Sequence, residues 1–92
     1  ATDHRADLYA FGAMAYELLV GEPPFAGRTP QRLLVAHLTE TPRPLRERRP
    51  EIPAALAELV AECLAKDPDA RPASAAEIAR RLDEVTPSSA VH

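Results

Sequence analysis

DLYAFGAMAYELLVGEPPF, residues Asp7–Phe25, is the stretch on which the reading of this chain turns. Between Leu8 and Val20 the single charge is Glu17. A surface helix has an apolar stripe and a polar back, whereas one apolar on every side is normally buried on every side. The spacing predicts a helix from about Arg5 to Val20, with Thr2 or Asp3 as N-cap and Gly21 as terminator. Gly12 sits inside it, where glycine costs about 1 kcal/mol against alanine. That position is best explained by another backbone passing close. Asp7 stands at the head of the run, where an unpaired carboxylate is costly to bury.

Three further helices follow. Gly21–Pro30, GEPPFAGRTP, reads as a loop dense in glycine and proline. Thr29 then caps a second helix, TPQRLLVAHLTE, with Pro30 at its first position. Thr41–Pro53 holds four prolines and four arginines, Arg43, Arg46, Arg48 and Arg49, and is expected to be an extended, solvated loop. Pro53–Ala65 is the third helix, with Leu56, Leu59, Val60, Cys63 and Leu64 at the i, i+3, i+4, i+7 spacing. KDPDARPA is a turn. Ser74 and Glu77 have capping-box spacing at the start of a fourth helix that ends near Val85. Residues 86–92, TPSSAVH, are expected to form a polar tail or the start of a linker. The fold class is therefore all-α.

Composition bounds the function. Ninety-two residues, 46% hydrophobic and 27% charged, make at most one domain. A net charge of −3 argues against nucleic acid as a partner. No apolar run reaches the roughly 20 residues of a membrane span, so no membrane contact is expected of this segment. The lone Cys63 suits a reducing compartment and is expected in the core. His4, His37 and His92 lack ligand spacing. Three short amphipathic helices do not cover the first on all sides. On these grounds the chain is expected to be part of something larger.

At this point Asp7–Phe25 resembles the long central helix of the lower lobe of protein kinases, followed by that lobe's Gly-x-Pro-Pro-Phe loop. CLAKDPDARPASAAEI, about fifty residues on, resembles the late family motif: Cys-Leu, Asp-Pro, Arg-Pro and a final helix. The resemblance covers roughly Thr2 to Val85 and implies four helices, those lettered F to I, of an incomplete domain. Residues 1–85 are thus expected to be the C-terminal part of a kinase catalytic domain. The alanine-, arginine- and proline-rich wording is similar to bacterial serine/threonine kinases of the eukaryotic type, acting in the cytoplasm.

The resemblance implies roles for individual residues. Asp7 resembles the aspartate that accepts hydrogen bonds from the catalytic-loop backbone. Gly12 is similar to the glycine that lets neighbouring backbone approach. Met14 and Leu18 match positions that support the hydrophobic spine from below, and Glu17 a glutamate near the substrate groove. Arg71 resembles the arginine that pairs with the glutamate ending the activation segment. That glutamate is outside these residues, so Arg71→Ala is expected to cost no more than about 0.5 kcal/mol here. No glycine-rich phosphate loop, strand lysine, catalytic-loop Asp and Asn, or metal-binding Asp-Phe-Gly is present. ATP and Mg2+ are therefore expected only of the full-length kinase, with no catalytic, cofactor-binding or metal residue in this chain, which is expected to be inactive alone. Its implied partners are the missing N-terminal part of the domain and, for the whole protein, protein substrates. The alternative reading is a degenerate kinase remnant acting as a non-catalytic helical interaction module.

Overall fold

In the computed structural model residues 4–85 are described, and they form five helices with no strand: α1 (His4–Val20), α2 (Pro30–Thr39), α3 (Leu45–Arg48), α4 (Ala54–Cys63) and α5 (Ala75–Val85). A 3₁₀ turn, Pro68–Ala70, precedes α5. The proposed caps Thr2 and Asp3 and the tail 86–92 lie outside the described residues. Gly21 ends α1 as expected. Its φ is +86°, the left-handed conformation open to glycine, and its N–H donates to the Glu17 carbonyl at 2.8 Å. Thr29 caps α2 by accepting from the Arg32 N–H at 3.3 Å.

Two expectations need correction. Thr41–Pro53 is not extended throughout, because Leu45–Arg48 closes one helical turn behind Pro44. The turn is held by its own Leu45, 3% exposed, which inserts beside Tyr16, Ile52, Val60 and Leu64. The capping box on α5 is half made. Ser74 Oγ accepts from the Glu77 N–H at 3.1 Å, but the Glu77 carboxylate turns to Arg80, at 2.6 and 3.1 Å. A guanidinium offers two bonds from a cationic donor where the Ser74 N–H offers one from a neutral donor.

The core lies on both sides of α4. One cluster joins Tyr16 of α1 to Leu45, Ile52, Val60 and Leu64. The other joins Leu8 to Leu59, Cys63 and Ile78, with Phe11 and Leu82 against it. Arg81 of α5 holds Glu62 of α4 through two hydrogen bonds of 2.6 and 2.9 Å. In the arginine-rich segment Arg43 pairs with Glu47, Arg48 with Glu22 and Arg49 with Glu51, while Arg46 donates to the Pro50 carbonyl. That charge is largely spent within the segment and its neighbours.

Candidate functional site

Helical geometry divides α1 into two faces. Leu8, Gly12 and Tyr16, one turn apart, are buried against the core. On the opposite side run Asp7, Met14 and Leu18, with Ala10 and Glu17 alongside, and all five are exposed. Met14 is 52% and Leu18 77% accessible. The first helix is thus apolar on two sides and packed on one. Asp7 closes the open face at the N-terminal end, where the helix dipole favours a carboxylate. It makes no hydrogen bond or ion pair with the described residues. Phe11, half-buried, separates the two faces near the middle.

Gly12 is where α4 comes closest. A Cβ built there stands 2.7 Å from the Cys63 Cβ and 3.2 Å from the Leu64 Cγ. The absent side chain lets the C-terminal turn of α4 seat on α1. Cys63, fully buried at that contact, has its thiol pushed up to about 11, chiefly by burial, with the Glu62 charge adding to it.

Arg71 is half-buried and anchored. Its Nε donates to the Ala65 carbonyl at 2.9 Å, and one terminal nitrogen donates to the Arg5 carbonyl at 2.8 Å. Its guanidinium carbon is 5.0 Å from the Tyr9 ring centre. These bonds revise the expectation that Arg71→Ala costs no more than about 0.5 kcal/mol in this chain. Among the described residues no acid pairs with it; it ties the turn after α4 to the start of α1. Main-chain acceptors carry no sequence signal, so this role is invisible in the residue string. Arg5 adds an ion pair to Asp69 at 2.5 Å.

The site residues therefore fall into two groups. Asp7, Met14, Glu17 and Leu18 share the open face; Gly12 and Arg71 belong to the contacts that hold the other face closed. Sequence reasoning missed Tyr9 and Tyr16. The Tyr16 hydroxyl donates to the Arg43 carbonyl at 2.8 Å and so clamps the segment before α3. Among the described residues no three His, Cys, Asp or Glu side chains gather as a metal-binding group, and no helix is long and apolar enough to cross a membrane.

A family model described as protein kinase domain matches residues 1–82. Serine/threonine-protein kinase PknB of Mycolicibacterium smegmatis is 40% identical over 83 residues, which is 90% of this chain and 13% of that protein. Serine/threonine-protein kinase pkn3 of Myxococcus xanthus is 41% identical over 85 residues, 90% of this chain and 16% of that protein. The DNA damage-responsive serine/threonine-protein kinase RqkA of Deinococcus radiodurans is 42% identical over 77 residues, 84% of this chain and 12% of that protein. The chain thus spans under one fifth of the length of these curated relatives.

Proposed function

The chain belongs to the protein kinase domain family, and from that premise we propose that it is the helical base of the lower lobe of a bacterial serine/threonine kinase. In the whole protein, acting in the cytoplasm, that lobe supports a catalytic loop and a platform for protein substrates. One observation carries this reading: the open face of α1 combines an uncommitted carboxylate, Asp7, with exposed Met14 and Leu18. A carboxylate at a helix start accepts hydrogen bonds from backbone N–H groups laid over it. An apolar stripe beside it gives the same overlying segment a dry seat.

ATP and Mg2+ belong to this proposal only through the rest of the kinase. The residues present do not fit either group: they include no glycine-rich phosphate cradle and, among the described ones, no acidic cluster. The part of this chain is to position. Asp7→Asn keeps the shape but exchanges one acceptor oxygen for an NH2 group that faces N–H donors. Hydrogen bonds to a charged group contribute about 1.5–3 kcal/mol, and each 1.36 kcal/mol of lost transition-state stabilisation is tenfold in rate. Steady-state kinetics of the full-length kinase should give a turnover roughly 10- to 100-fold lower for Asp7→Asn, with ATP affinity less affected. Unchanged turnover in a folded variant would overturn the scaffold role. An in-frame catalytic loop, Asp-Phe-Gly and Ala-Pro-Glu encoded upstream of Ala1 would support the kinase assignment, while a start codon beside Ala1 would favour the remnant.

A further inference from the structure

Ala36 is the one residue of α2 that is buried, and Leu34, Val35 and Leu38 face outward. What joins this helix to the bundle is a small polar and aromatic knot. The Tyr9 hydroxyl of α1 lies 2.6 Å from His37 Nδ1. The Phe25 ring, from the loop before α2, meets the His37 ring edge-on, with centres 5.0 Å apart. Lys66, in the turn after α4, donates to the Ala36 carbonyl at 3.3 Å. Its ammonium stands 5.2 Å from the Phe25 ring centre and 5.9 Å from that of Tyr9.

We propose that this knot is a proton-operated latch: a proton on His37 releases α2 from the bundle. The neutral ring pairs with the Tyr9 hydroxyl through either of two arrangements, ring donating or ring accepting. The charged ring donates only, and it sets a new cation beside the Lys66 ammonium. The remaining charged groups on this side of α2 do not relieve it. Glu40 is held by Arg28 through two bonds of 3.0 Å. Tyr9 is a poor source of negative charge, because burial raises its hydroxyl above the ordinary value. Burial and the Lys66 charge lower His37 below the ordinary imidazole value of 6.5. The docked state therefore favours the neutral ring. Its stabilisation is complete above 6.5 and is lost as pH falls through the docked value. Glu40, lowered by Arg28, does not titrate in that window.

Amide hydrogen exchange on the 92-residue chain, corrected for intrinsic rates, tests the latch together with NMR titration of the His37 ring. Its loss in His37→Gln identifies the His37 resonance among those of the three histidines. As pH falls from above 6.5 to below the ring midpoint, the opening constant of α2 amides should rise by a total factor of ten raised to the gap between 6.5 and the measured midpoint, the signature of one proton, while α4 amides stay flat. His37→Gln should abolish the slope. A slope that persists in His37→Gln, a His37 midpoint at or above 6.5, or α2 protection that stays flat while the ring titrates would each overturn the latch. If His37→Gln undocks α2 at every pH, the wild-type comparison decides: coincident ring and opening behaviour supports the proposal, and divergent behaviour ends it.

Discussion

Gly12→Ala sets two effects of opposite sign against each other. Alanine gains about 1 kcal/mol of helix propensity, but its methyl would stand 2.7 Å from the Cys63 Cβ. That atom is fixed to the α4 backbone, so the helices must part, and overpacking of this kind costs about 1–3 kcal/mol. Urea denaturation should therefore show a net loss in the isolated chain. Arg71→Ala should cost about 1.5–3 kcal/mol, because it removes charge-assisted bonds to the Ala65 and Arg5 carbonyls. A change within about 0.5 kcal/mol would mean that those bonds exchange freely with water. Cys63 gives a chemical readout of the same contact. With the thiol at about 11 and no exposed surface, labelling by a disulfide reagent at pH 8 should run more than about 100-fold slower than for a free thiol.

Among the elements, length decided what the sequence could announce. α1, α2, α4 and α5 each span ten or more residues and repeat an apolar spacing, and each is found within about two residues of its expected bounds. α3 is too short to show a period, and Pro44 and Pro50 on either side read as breakers. Its cause is tertiary, the pocket for Leu45 between Tyr16 and Val60. Leu45→Ala should accordingly cost about 2–5 kcal/mol in thermal or urea unfolding, as for any buried leucine. The open face of α1 was half legible. Its uniform apolarity said that something must cover it, whereas which residues stay uncovered depends on where α4 docks. The contact of Tyr9 with His37 was not legible at all, since nothing local links residues 28 apart.

For the whole molecule, the consequence of that face is association. Met14 and Leu18, with Leu34, Val35 and Leu38 on α2, place unusual apolar area on the surface of a small chain. The isolated chain should bind ANS and self-associate with rising concentration. Leu18→Glu should reduce both in light scattering and fluorescence, and change stability by no more than about 0.5 kcal/mol, because the side chain is 77% exposed. Unaltered self-association in Leu18→Glu would move the sticky surface to α2.

The seat of Gly12 on Cys63 also has a consequence in time. A ribosome makes α1 first and the turn of α4 that covers it about fifty residues later, and at 5–20 residues per second that is several seconds. Throughout that delay the face of α1 that Gly12 lends to α4 is outside the exit tunnel without its cover, whatever segment lies over the other face. Translation thus creates a ligand for holdase chaperones at every round of synthesis. Nascent chains arrested when α1 has left the tunnel and α4 has not should crosslink to such chaperones more strongly than chains in which α4 has also emerged.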